Sequence, residues 1–276
     1  MSRVLNPDRS SLRFVLRQIL VVVGSVAVYF GVRHLTEGDV ETATANADLV
    51  IELQNRMGIG VELQFQEWAL GIPGVLKAMN TIYIWGHWPV IAVVLVWLAW
   101  KKRDSFILYR NALLLSGVVG MLIVATFPMA PPRLLDIGFL DTVSMHSEAY
   151  RVLQPPGVTN QYAAMPSFHF GWDLLMGIAL ARQARPVWVR AIGWSLPVLM
   201  ALSIVITGNH FILDAVVGGV IVLLALVVME RYQRRRPAEA AEASVASVAS
   251  ERAGQWESRD AQPRGLVQLR ISSRDR

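Results

Sequence analysis

Five apolar stretches of near-bilayer length, and a sixth just short of it, alternate along this chain with polar loops. No other feature constrains the fold so tightly. A helix needs roughly 20 apolar residues, each rising 1.5 Å, to cross about 30 Å of hydrocarbon. The stretches are Phe14–Val32, Ile82–Trp100, Phe106–Phe127, Phe168–Ala181, Trp188–Thr207 and Phe211–Met229. The fourth is short and is interrupted by Asp173. A soluble helical protein shows amphipathic stripes instead of helices apolar on every side. With 54% hydrophobic and only 17% charged residues, the composition also speaks against an ordinary soluble domain. The expected fold is all-α: a polytopic six-transmembrane-helix bundle over residues 1–236. Its spans are placed at about 14–32, 82–100, 106–127, 168–184, 188–207 and 211–229.

The positions of the charges say more than their balance of +5. Arg3, Arg9, Arg13 and Arg17 precede the first span. Lys101, Lys102 and Arg103 separate the second from the third, Arg182, Arg185 and Arg190 the fourth from the fifth, and Arg231, Arg234, Arg235 and Arg236 follow the sixth. The intervening loops are acidic, with Glu37, Asp39, Glu41, Asp48, Asp136, Asp141 and Glu148 among others. The positive-inside rule then puts both termini in the cytoplasm. A basic tail also suits nucleic acid, but the alternation from loop to loop favours topology, and no nucleic-acid partner is expected. The chain has no cysteine, which excludes disulfides and thiolate chemistry. Gly31-Val32-Arg33-His34 is no small-residue cleavage site, so the first stretch is expected to stay as a helix. Residues 237–276 are rich in Ala, Ser, Glu and Arg, cannot bury a core, and are expected to form a disordered cytoplasmic tail.

Two loops are long. In the first, Val40, Ala43, Ala47, Val50 and Ile51 recur at helical spacing, predicting an amphipathic outer helix that Gly58-Ile59-Gly60 breaks. A shorter helix around Glu62–Leu70 follows, stopped by Gly71-Ile72-Pro73-Gly74. This segment either caps the outer face or touches substrate directly. Asn80, Tyr83 and His87 fall at i, i+3 and i+7 on one face of the second span. They either bond between helices or line a catalytic cavity, because buried polar groups in a membrane must face the protein interior or water. Arg110, near the inner end of the third span, is explained by snorkelling to the interface. The second loop, Pro128 to Met165, contains Arg133 and runs into Pro166-Ser167-Phe168-His169.

In Thr207-Gly208-Asn209-His210-Phe211-Ile212-Leu213-Asp214, His210 and Asp214 are four apart and would be neighbours on a helix. A carboxylate that accepts the proton of one ring nitrogen leaves the other basic, as in a histidine–carboxylate nucleophile. The same spacing also suits a metal site or a helix-stabilising contact. Pro166 and Ser167 open the fourth span, where free N–H groups attract an anion such as phosphate. His169 in that first turn can protonate a departing oxygen, or simply follow a serine N-cap. Arg133 offers a permanently charged fork matched to phosphate oxygens. All four side chains share the outer side of the predicted membrane, and phosphoryl transfer gives them a common explanation.

Pro166-Ser167-Phe168-His169 followed by His210-x-x-x-Asp214 resembles the second and third motifs of the type 2 phosphatidic acid phosphatase (PAP2) superfamily. Phe127-Pro128-Met129-Ala130-Pro131-Pro132-Arg133, the run Met165 to Trp172 and Gly208-Asn209-His210 resemble its inositol-phosphotransferase-like branch. That branch includes the fungal inositol phosphorylceramide synthases and many bacterial membrane proteins. Gln66-Glu67-Trp68, Asn80, Tyr83 and Tyr109-Arg110-Asn111 are similar to stretches of the bacterial members. The resemblance implies a bundle of PAP2 type in a bacterial plasma membrane, its active site on the outer face. It implies His210 as nucleophile, Asp214 orienting it, His169 as general acid and Arg133 binding phosphate, with Ser167 and Asn209 in the substrate site.

The departures bear on function. Where the broad superfamily has a lysine seven residues before its arginine, this chain has Thr126. Where it has Ser-Arg before the histidine, this chain has Ser203-Ile204, and the second motif's usual glycine is Phe168. Two phosphate-binding cations are therefore missing. Either Arg151 or Lys77 replaces them, or the substrate is a diester. The expected activity is lipid phosphotransfer to a hydroxyl acceptor, with a lipid phosphate or diphosphate phosphatase, using water, as the alternative. A transporter is the reading from another class, but transporters tend to show internal repeats and helices broken near the midplane, whereas here the polar residues cluster at outer ends and no repeat is seen. No cofactor and no metal are expected, and the oligomeric state is left open.

Overall fold

The computed structural model describes residues 39–146 and 160–235, with scattered positions between 17 and 31. The first expected span, Arg151 and the expected tail at 237–276 therefore lie outside the described residues, apart from those scattered helical positions. The chain divides into a main unit, Met1–Met229, and a second from Glu230 on. The main unit is all-α, and the described residues contain no strand, only an isolated bridge between Met129 and Ala163. The fully described helices are α1 (Val40–Met57), α2 (Glu62–Leu70), α3 (Val75–Trp85), α4 (Trp88–Lys101), α5 (Arg103–Thr126), α6 (Thr142–His146), α7 (Phe168–Gln183), α8 (Val187–Ile206) and α9 (Ile212–Arg235).

Three of these, α5, α8 and α9, are long and apolar enough to cross a membrane, and α3 with α4 makes a fourth if the bent pair is one span. The exposed faces of α4, α5, α8 and α9 carry Val93, Val96, Trp100, Val118, Leu122, Trp194, Val198, Val220 and Leu224. An outward-facing shell of large apolar side chains is what lipid requires and water opposes. The protein is a membrane protein.

The sequence predicts one continuous helix over 82–100, and here the structure differs. α3 and α4 meet at 47° around Gly86 and His87. Pro89 is the cause: it has no N–H for the carbonyl of Trp85, and its ring collides with that carbonyl in a continuous helix. His87 consequently caps α4 instead of sharing a helix face with Asn80 and Tyr83. The fourth expected span forms as α7, which at 16 residues is short, as the apolar run suggested.

Connectivity places the start of α4, the end of α5, the start of α7, the end of α8 and the start of α9 at one end of the bundle. The basic turns at Lys101–Arg103 and Arg182–Arg185 lie at the other. At the first end α1 lies across the loops with Ala43, Ala47, Val50 and Gln54 buried, the stripe its spacing predicts, and stops at Gly58 in the left-handed region. Ala43 and Asn46 accept and donate bonds to Ala130 and Pro128, stitching the Pro128–Arg133 loop to α1.

The first turns of α7 and α9 touch backbone to backbone. Ser167 N–H donates to the Asp214 carbonyl at 2.9 Å, and a Cβ added at Gly218 would lie 2.2 Å from the Ser167 carbonyl oxygen. Gly218→Val should therefore push α7 away from α9. Overpacking of this kind costs about 1–3 kcal/mol or more. A lower thermal midpoint in detergent, with activity lost before unfolding, is the expected result.

Candidate active site

Helix α9 begins in a setting where its first N–H groups have no intrahelical partner. Each finds a side chain. Phe211 N–H donates to Asp214 Oδ2 at 2.8 Å, Ile212 N–H to Glu62 Oε1 at 2.9 Å, and Leu213 N–H to Gln54 Oε1 at 3.0 Å. Gln54 and Glu62, both buried, come from α1 and α2. The outer segment thus caps the helix that follows His210, and the structure gives it a positioning role.

His210 does not lie on a helix with Asp214, as the four-residue spacing suggested; it precedes α9, and Asp214 closes the first turn behind it. Its Nδ1 lies 2.8 Å from the Ala164 carbonyl oxygen and 3.5 Å from Asp214 Oδ2. Both neighbours are acceptors, so the proton sits on Nδ1 and Nε2 carries the lone pair. The orienting acceptor nearest the ring is a backbone carbonyl, because Asp214 Oδ2 is already engaged with Phe211 N–H. Asp214 is fully buried, and its Oδ1 has no partner among the described residues.

The turn before His210 fixes the arginine. Gly208 has φ +65°, and a Cβ there would press on Phe139, Arg133 and the Gln66 amide. Its carbonyl accepts from Arg133 N–H at 2.8 Å. Arg133 Nε donates to Asn209 Oδ1 at 2.8 Å and Nη1 to Asp141 Oδ2 at 3.2 Å. Gln66 bonds Leu140 through both ends of its amide and also reaches the Ile206 carbonyl, so α2 ties the arginine loop to the end of α8.

His169, second in α7, has its ring centroid 5.7 Å from that of His210, 4.5 Å from Tyr83 in a stack, and 4.4 Å from His87. His87 Nδ1 lies 3.1 Å from Asp173 Oδ1. Phe168, which replaces the motif's usual glycine, stacks on Trp172 at 4.8 Å and occupies space open only because residue 120 is glycine. Ser167 caps α7 by backbone alone; its hydroxyl is buried and without a partner among the described residues.

The structure therefore gathers His210, Asp214, His169, Tyr83 and His87 around the facing starts of α7 and α9, with Arg133 and Asn209 on the adjoining turn. Asn80 goes elsewhere: both ends of its amide bond Thr142, holding α6 to α3. Of the missing-cation positions, Thr126 is exposed and bonds its own helix, and Ile204 is buried in apolar surroundings. Lys77 is exposed on α3. Asp173, in sequence only an interruption of an apolar run, proves to be a site partner, and that interruption was its signal. Asp141, Gln54, Glu62 and the Ala164 carbonyl gave no comparable signal. Among the described residues no group of three His, Cys, Asp or Glu is arranged to hold a metal.

Buried His210 and half-buried His169 thus lie close to each other, with Arg133 on the adjoining turn, at one end of an apolar bundle. A family profile of the PAP2 superfamily matches residues 48–228, and the chain belongs to that superfamily. Among solved structures, that of Aquifex aeolicus LpxE is similar, with 17% identity, a TM-score of 0.47, and coverage of 61% of this chain and 93% of that one. No curated protein sequence matches the chain. Superfamily membership and membrane character support a lipid phosphatase or phosphotransferase.

Arg133 holds its partners through a planar fork that lysine cannot reproduce. Arg133→Lys should lower turnover by about 10²–10³-fold, the usual cost of one preorganised donor to developing charge. Steady-state kinetics on a lipid phosphate ester, with Asn209→Ala giving a smaller loss in the same direction, check this.

Proposed function

We propose that the chain is a six-span enzyme of a bacterial plasma membrane, termini in the cytoplasm, that transfers a phosphoryl or phospho-headgroup from a membrane lipid to a hydroxyl acceptor. One observation carries the reading. His210 is held by two acceptors at Nδ1, which leaves Nε2 as the nucleophile, and the His169 ring lies 5.7 Å away.

In the first half-reaction His210 Nε2 attacks phosphorus, the bond to the departing oxygen breaks, and His169 gives that oxygen its proton. Asp214 balances the imidazolium charge. Arg133, whose Nη2 has no partner among the described residues, faces the phosphate oxygens. In the second half an acceptor hydroxyl yields its proton to His169 and attacks phosphorus, the N–P bond breaks, and His210 is regenerated. Ser167 at the start of α7 and Tyr83 beside His169 belong to the substrate site in this scheme. Arg151 is a further candidate there.

Transfer is favoured over hydrolysis by the charge count. A phosphate monoester carries about 1.5 to 2 negative charges near neutrality, whereas a diester carries one. Among the described residues positions 126 and 204 supply no cation and Lys77 is exposed, which suits a diester donor such as a phospholipid with an inositol-phosphate-type headgroup. Holding an alcohol in line gives it the advantage of proximity over water.

Purified enzyme supplied with labelled phospholipid and polyol or lipid alcohols should make product lipid in excess of released phosphate. Inorganic phosphate dominating from monoesters, whatever the acceptor, would instead make the protein a phosphatase. His210→Ala should abolish turnover and the trapped phosphoenzyme, and Asp214→Asn should leave a trace of both.

Topology is tested separately, using the natural absence of cysteine. Single cysteines placed between 134 and 141 should react with an impermeant maleimide in intact cells, and those placed after Arg231 should not. The reverse pattern would put the site on the cytoplasmic face.

A further inference from the structure

The spacing His-x-x-x-Asp occurs twice in this chain, at His210–Asp214 and again at His169–Asp173. The second copy does not pair with itself. Asp173 Oδ1 lies 3.1 Å from Nδ1 of His87, a residue 86 positions away that the break between α3 and α4 delivers. Their side chains are 1% and 4% exposed. Trp172 lies parallel to the His87 ring at 5.9 Å, and Trp88 meets it edge-on at 5.2 Å. Among the described residues the other titratable ring in contact with His87 is His169, 4.4 Å away between centroids, which itself stacks on Tyr83.

A buried ion pair is a poor stabiliser, since well-packed apolar residues in its place are often neutral or better. Inside a membrane bundle an ionisable pair calls for a function. With Nδ1 engaged by the Asp173 carboxylate, Nε2 of His87 is left for a further partner, and among the described residues the ionisable ring in contact with His87 is His169.

We propose that the His87–Asp173 pair is the proton reservoir of His169, an inference that rests on the phosphohistidine reading above. In this scheme the pair as a whole holds one proton between His87 Nδ1 and Asp173 Oδ1 and a second on His87 Nε2, and releases the second. As the P–O bond breaks and the P–N bond forms, His169 gives the departing oxygen the proton of one ring nitrogen. It takes a proton from His87 on the other. His169 stays neutral and changes only its tautomer. In the second half the acceptor hydroxyl returns a proton to His169, the other nitrogen returns one to His87, the new P–O bond forms and the N–P bond breaks. No proton is drawn from solvent. His87 and Asp173 are in this scheme positioning residues, acting through His169.

The test compares two donors, one losing an alkyl alcohol and one losing 4-nitrophenol, which departs without a proton. His87→Gln and Asp173→Asn should each lower turnover of the alkyl donor by about 10²-fold or more, the range for general-acid catalysis, and that of the nitrophenyl donor only a few-fold. In a His169→Ala background His87→Gln should cost nothing further. Equal losses on both donors, or losses that add to that of His169→Ala, would mean the pair only supports the fold and would overturn the proposal. Phosphoenzyme formed in a single turnover of the nitrophenyl donor counts the folded sites in each variant. If the wild type forms no phosphohistidine, the underlying reading fails. If it does, and His87→Gln and Asp173→Asn both keep wild-type rates on both donors, the reservoir alone fails.

Discussion

Everything at the site hangs on how the start of α9 is satisfied. A helix that begins inside a membrane protein exposes N–H groups that hydrocarbon cannot solvate. Here three of them are met by Asp214, Glu62 and Gln54. Two of those acceptors are buried on helices α1 and α2, far off in sequence. The capping bonds therefore fix not only α9 but also the Thr207–Phe211 turn ahead of it, and with that turn the direction of the His210 ring and the carbonyl that Arg133 binds. Removing one acceptor would leave an orphaned donor whose desolvation costs about 1–3 kcal/mol.

The second organising constraint is close approach. α7 and α9 meet through Ser167 N–H and the Asp214 carbonyl, with Gly218 leaving the backbones in contact. This contact brings His169 to His210 without any bond between the two rings. Aromatic neighbours do the rest: Tyr83 lies on His169, Trp172 on His87, and Phe168 fills the space above Gly120.

Much of this was legible in the sequence because its physics is local. Apolar length, basic turns on alternate loops and the outer helix stripe of Ala43, Ala47 and Val50 depend on nearest neighbours along one chain. The motif residues His169, His210, Asp214 and Arg133 were legible because phosphate chemistry draws on few residue types. Pro89 was also visible, yet its consequence, a break that carries His87 off the face of Asn80 and Tyr83, was not drawn from the apolar run around it. Asn80 shows the reverse case: a polar residue on a plausible face that spans to Thr142 instead.

The sequence by itself determined that this chain is a bundle of apolar helices that carries His169, His210 and Asp214 at helix starts at one end. Only the tertiary structure decided who pairs with whom. The two His-x-x-x-Asp repeats look alike in one dimension, but His210 takes a backbone carbonyl as its nearest acceptor and Asp173 takes a histidine from another helix. The reason is geometric. A carboxylate near a helix start accepts from whichever donor the packing brings within about 3 Å, and packing brings that donor from 86 residues away as readily as from four.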